Sequence, residues 1–141
     1  MIQEKYNELK KQYPKAIVMI KSGSFFECLN DDAIIMNDIF DYKIKRFNNY
    51  IRVGFPASNL NKIKGILTNK EINYVTLIDG DVNDVKLKHN NYKNYNEKVI
   101  NYKLAKEKIE YINKKLNDNL FNEDIIYILN EMEKLLCKIN Y

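Results

Sequence analysis

Histidine and cysteine are scarce in this sequence of 141 residues, which has one histidine, His89, and two cysteines, Cys28 and Cys137. The cysteines lie far apart, with no ligand spacing between them. That excludes a recognisable zinc motif and a disulfide scaffold, and both read as reduced cytosolic thiols. Long apolar runs are missing as well. None approaches the roughly 18 residues that a membrane-spanning helix needs. The N-terminus sets Glu4 and Tyr6 among lysines with no apolar segment behind them, unlike a secretory signal. A cytoplasmic location and no membrane partner are therefore expected. The sequence also has no Gly-x-x-x-x-Gly-Lys-[Ser/Thr] phosphate loop, catalytic triad or cluster of metal ligands. A non-enzymatic protein without a cofactor is the expectation.

What is present suits one domain, or one domain with an appendage. The apolar fraction is 45%, enough for a sizeable core, and 23 basic residues against 19 acidic ones leave a net charge of +4. Such a balance permits an anionic partner without demanding one.

Along the chain, Ile2, Tyr6, Leu9 and Tyr13 fall at steps of four, three and four, one stripe of an amphipathic helix that Pro14 ends. Residues 16–27 read as a first strand, with the run through Ile20 covered on both faces. Asn30 or Asp31 is placed to cap a following helix, with Asp32 near its positive end and Ala33, Ile35, Met36, Ile39 and Phe40 facing inward.

Residues 42–55 read as a hairpin turning at Asn48-Asn49, since asparagine tolerates positive φ. That register sets Lys45 opposite Arg52 and Arg46 opposite Ile51. One face collects Tyr42, Ile44, Ile51, Val53 and Phe55, and the other Lys43, Lys45, Phe47, Tyr50 and Arg52. Like charges directly opposed are unfavourable in an isolated sheet, so Lys45 facing Arg52 suits a nearby phosphate. A solvated strand face is the plainer alternative. Ser58 is placed to cap a helix carrying Leu60, Ile63 and Leu67. Residues 72–78 read as a strand, and Asp79-Gly80 turns into a weaker one with Val82, Val85 and Leu87.

After residue 87 the composition shifts. Residues 88–97 read as a linker, and 98–141 as an antiparallel helical hairpin with stripes Val99, Tyr102, Ile109, Ile112, Leu116 and Ile125, Ile128, Met132, Leu135, Ile139. Asn122 starts its second helix. Residues 86–115 carry nine lysines and three glutamates, while 116–141 carry two lysines and five acids. The fold class expected is α/β: a mixed sheet flanked by helices over 1–87, then the hairpin.

Gly23-Ser24-Phe25-Phe26-Glu27 is the stretch richest in chemical possibility. In an extended chain Phe25 and Glu27 share one face and Phe26 takes the other. An aromatic ring beside a carboxylate suits a nucleobase, which the ring stacks on while the carboxylate accepts a base donor. A core phenylalanine and a solvated acid are the bland alternative.

The order of motifs over residues 2–78 resembles the N-terminal mismatch-recognition domain of the MutS DNA mismatch repair family. The matching points are Tyr13-Pro14 before a buried strand, Gly23-x-Phe25-Phe26-Glu27, an acid-capped helix, and a hairpin ending in Gly54-Phe55-Pro56. The family pattern is near Gly-Asp-Phe-Tyr-Glu and Gly-Val-Pro, so Ser24 and Phe26 depart from it. The resemblance implies that Phe25 wedges into the minor groove and stacks on a mispaired base, that Glu27 hydrogen-bonds that base, and that the DNA is kinked. With no phosphate loop and no length for the other MutS domains, a free-standing recognition module without ATPase activity is expected.

The partner expected is mispaired or distorted DNA, bound without ATP through Phe25, Glu27, Lys43, Lys45 and Arg52, with a protein partner or homo-oligomer through residues 98–139. The alternative is an adaptor whose helical hairpin binds a DNA-processing enzyme (a polymerase, nuclease or reverse transcriptase).

Overall fold

A computed structural model of the chain describes residues 1–139. They form two compact units, the first Met1–Tyr102 and the second from Lys103 on. The first is an α/β unit built on a six-stranded mixed sheet. Its strands are β1 (Ala16–Ser22), β2 (Phe25–Leu29), β3 (Lys45–Arg46), β4 (Ile51–Pro56), β5 (Asn73–Ile78) and β6 (Asp81–Lys86). Their spatial order is β3-β4-β2-β1-β5-β6. Only β1 and β5 pair in parallel.

The helices are α1 (Ile2–Gln12), α2 (Asn30–Phe40), α3 (Leu60–Asn69), α4 (Asn96–Asn117) and α5 (Ile125–Leu136). Tyr6 and Leu9 of α1 pack on Val18, Ile20, Leu29 and Val75 on one sheet face. On the opposite face Ala33, Ile35 and Met36 of α2, and Ile63 and Leu67 of α3, cover Ile17, Met19, Phe26, Val53 and Phe55. No helix among the described residues is long and apolar enough to cross a membrane.

Several local expectations change. The stretch 16–27 is not one strand but a hairpin, with Ser22 paired to Phe25 across Gly23-Ser24. Gly23 has φ +61°, and a glycine at positive φ in the first central position is what a type II′ hairpin turn uses. Alternation survives because both sides of the turn stay extended.

Asn30 does not cap α2. It takes φ +50°, a conformation asparagine tolerates, and its Oδ1 accepts from the Ile51 N–H of β4 at 3.3 Å. The N-cap position of α2 falls on Leu29, and Asp31 lies inside the first turn of the helix. Ser58 falls inside a 3-10 turn, Ala57–Asn59, ahead of α3 and makes no cap. At Asn48-Asn49 neither residue has positive φ. Phe47 N–H donating to the Tyr50 carbonyl at 2.9 Å closes this turn, with the two rings stacked 4.7 Å apart. Asp79-Gly80 does have both residues at positive φ, 52° and 83°, as a type I′ turn requires.

The most consequential difference is Asp32. It lies in the first turn of α2, as expected, but its side chain is fully buried. Its Oδ2 accepts from the Val18 N–H at 3.0 Å. Its Oδ1 accepts from Lys10 Nζ at 3.0 Å and Tyr92 Oη at 2.7 Å. Lys10 also donates to the Ala16 carbonyl at 2.7 Å. Burial pushes the Asp32 carboxyl above its ordinary range, and the Lys10 charge with the Val18 and Tyr92 hydrogen bonds opposes that. Burial likewise raises the Tyr92 hydroxyl, with the Asp32 charge adding to it.

Tyr92 lies in the stretch whose composition suggested a linker. Residues 91–95 form a 3-10 turn, and Tyr92 and Val99 are buried in the core. Composition misses this because one buried ring can anchor a polar segment. In the second unit, most of the expected apolar stripe lies open to solvent, Ile109, Ile112, Ile128 and Leu135 included. Asn122 accepts the Asp124 N–H through its side chain at 2.8 Å, just ahead of α5.

Two outcomes test this packing. Asp32→Asn presents an amide where three donors converge and weakens a buried ion pair, so the unfolding free energy should fall by about 3 kcal/mol. Denaturant titration reads this, and a change under about 0.5 kcal/mol would mean the network contributes nothing net. Cys28 is buried and Cys137 exposed, and burial raises the Cys28 thiol pKa. Iodoacetamide on the folded protein should therefore alkylate Cys137 alone by mass spectrometry, and both cysteines after denaturation.

Candidate nucleic-acid interface

β2 begins immediately after the Gly23-Ser24 turn, so its first residue stands at the rim of the sheet. Phe25 is 48% exposed there, whereas Phe26 is 2% exposed and stacks on Phe55 with centroids 5.7 Å apart. Glu27 is partly buried and shares the face of Phe25. The register holds because a slip of one residue would bring Phe26 out and turn the Glu27 carboxylate into the core. Exposing such a ring alone costs about 1.5–3 kcal/mol. The Ala57 N–H donates to the Ser24 carbonyl at 2.8 Å and ties the turn to the start of the 3-10 segment.

The neighbouring strand leaves this face open. Pro56 lies opposite Phe25, and Gly54 opposite Glu27. A Cβ at Gly54 would meet only the Phe26 carbonyl oxygen, at 3.8 Å. Packing therefore does not require a glycine at this position. Its effect is to keep any side chain away from the flank of the Phe25–Glu27 pair.

Glu27 is not a lone acceptor. Its Oε1 accepts from Arg52 Nη1 at 2.8 Å. The Arg52 guanidinium lies over the Phe47 ring at 4.7 Å, and Phe47 stacks in turn on Tyr50 with rings 9° from parallel. Lys45 pairs opposite Arg52, as the hairpin register predicts. Lys45 and Lys43 are both exposed, Lys43 lying just outside the ladder. Phe25, Glu27, Arg52 and Lys45 thus fall on one face across β2, β4 and β3.

Sequence reasoning assigned Glu27 and Arg52 to separate tasks, and it missed their pairing. The pairing depends on β4 lying beside β2, strands separated by a helix and another strand. Only a general preference for opposite charges near each other could have hinted at it. The ends of the expected hairpin also differ: the ladder stops at Lys45, while Ile44 and Tyr42 pack on the core from outside it, Tyr42 6.0 Å from the Phe55 ring.

An exposed ring, an adjacent arginine-held carboxylate and flanking lysines define a surface suited to a nucleic-acid base and its phosphates. Comparison with known proteins agrees in kind. The family model for MutS domain I matches residues 1–106. The chain belongs to the MutS domain I family, and that membership implies a DNA mismatch-recognition module. No curated protein matches the chain.

Reversing the two exposed lysines, Lys43→Glu with Lys45→Glu, should weaken duplex DNA binding and make the log–log salt slope shallower by about two. Fluorescence anisotropy between low and moderate salt measures it. An unchanged slope would remove these lysines from the interface.

Proposed function

We propose that this protein recognises mispaired or distorted duplex DNA by inserting Phe25 beside a base, with Glu27 accepting a hydrogen bond from that base. The observation that carries the reading is the half-exposed Phe25 at the sheet rim, with a carboxylate beside it and no side chain from Gly54 to block access. Unstacking a base step costs a few kcal/mol, and a mismatch has already lost part of that stability. The wedge therefore discriminates by the price of opening the stack more than by reading base edges.

Arg52 supports Glu27 in two ways. It holds Oε1 and leaves Oε2 to accept a base donor. Its charge also offsets a carboxylate that would otherwise be repelled by the phosphates. Lys43 and Lys45 supply phosphate contacts that position the module without reading sequence. Recognition by these residues needs no ATP, and nothing in the reading assigns them catalysis. A single module of this size offers roughly 600–1,000 Å² of contact, so its own affinity is modest.

The test compares a homoduplex with the same duplex carrying one mismatch, by gel shift. The wild-type protein should prefer the mismatch, and Phe25→Ala should weaken mismatch binding by about 10- to 100-fold, as loss of a base-stacking ring does. Equal binding by the wild type and Phe25→Ala, with mismatch preference retained, would overturn the reading.

A further inference from the structure

The second unit leaves most of its large apolar side chains exposed. Of nineteen large hydrophobic side chains exposed in the described residues, twelve lie between Lys103 and Ile139. Of the large apolar side chains in α5, only Ile125 is buried. Between α4 and α5 runs a groove of about 480 Å³, lined mainly by Tyr111, Ile112, Leu116, Ile125, Ile128 and Met132. Patches of this kind are uncommon on monomers and mark association surfaces.

Charge selects the occupant. Residues 103–139 carry seven lysines and seven carboxylates, so the net charge of +4 resides entirely in residues 1–102. With no net charge, the hairpin as a whole has little electrostatic pull on a polyanion. The balance is also divided by helix: residues 103–117 hold five lysines and two glutamates, and 118–139 hold five acids and two lysines. A surface with one basic and one acidic helix side by side complements itself when turned over by a two-fold axis.

We propose that this hairpin is a self-association surface on which a second copy of the chain docks. The basic α4 segment of one copy lies against the acidic α5 segment of the other, and the four segments close into a bundle around the open grooves. The segments, fifteen and twelve residues at 1.5 Å rise, span about 18–22 Å, enough for the side-by-side packing of short helical bundles. Two modules then share one particle, and linkage raises the effective concentration of the second for DNA already held by the first. That consequence rests on the DNA reading above; the pairing does not.

Sedimentation velocity on the full chain at micromolar concentrations decides the matter. The wild type should run as a dimer. Ile109→Glu and Ile128→Glu, each at an exposed position, should weaken dimerisation by at least tenfold while far-UV circular dichroism stays unchanged. Val85→Glu, an exposed apolar site in the first unit, should leave the dimer intact. A wild type that stays monomeric across the range, or a dimer indifferent to both hairpin variants, would overturn the proposal, whatever Phe25→Ala does to DNA binding.

Discussion

The buried carboxylate of Asp32 is the interaction on which the first unit depends. A charge taken out of water is tolerated only if donors converge on it. Here three donors reach Asp32 of α2 from three other pieces of chain: the side chain of Lys10 in α1, the backbone of Val18 in β1, and Tyr92 in the 3-10 turn beyond β6. Lys10 reaches on to the Ala16 carbonyl, so the same network holds α1 against the first residue of β1. Satisfying one carboxylate thereby sets where α1, α2 and the segment around Tyr92 sit against the sheet.

With α1 seated there, the Phe25 end of β2 stays uncovered. Leu29, at the other end of the strand, joins the core under α1, whereas Phe25 and Glu27 on the same face run out beyond it. Phe26 and Phe55 anchor the opposite face. The strand that carries Phe25 is therefore packed behind, while the Phe25 ring is half exposed in front. A stacking wedge needs both properties, since a ring that moves on its backbone spends binding energy on being ordered. The Arg52–Phe47–Tyr50 stack does for the carboxylate what Phe26 does for the ring, fixing it from the side.

The two units divide the physics between them. The net positive charge belongs to the unit that carries Phe25 and Glu27, and most of the exposed large apolar side chains among the described residues belong to the unit with no basic excess. The proposed attraction to a polyanion and the proposed hydrophobic association would therefore use different surfaces and need not compete. A composition averaged over the whole chain hides this division, because +4 spread over 141 residues looks unremarkable.

Much of this was legible in the sequence. Period-two alternation puts Phe26 inside with Phe25 and Glu27 outside whether or not the chain turns at Gly23-Ser24, since a hairpin keeps the alternation of each strand. The helical stripes of α1 and α3, the Asp79-Gly80 turn and the pairing of Lys45 with Arg52 follow from local spacing, and local spacing is what a sequence records directly. What the sequence could not decide was which distant groups meet. Asp32 has the look of a helix-start acid until Lys10, Val18 and Tyr92 are brought around it. Glu27 reads as a lone acceptor until β4 is laid beside β2 and delivers Arg52. Tyr92 sits in a segment too polar to announce a core residue. In each case the outcome rests on a contact between residues far apart in the chain, and its energy depends on burial. Burial is a property of the assembled fold.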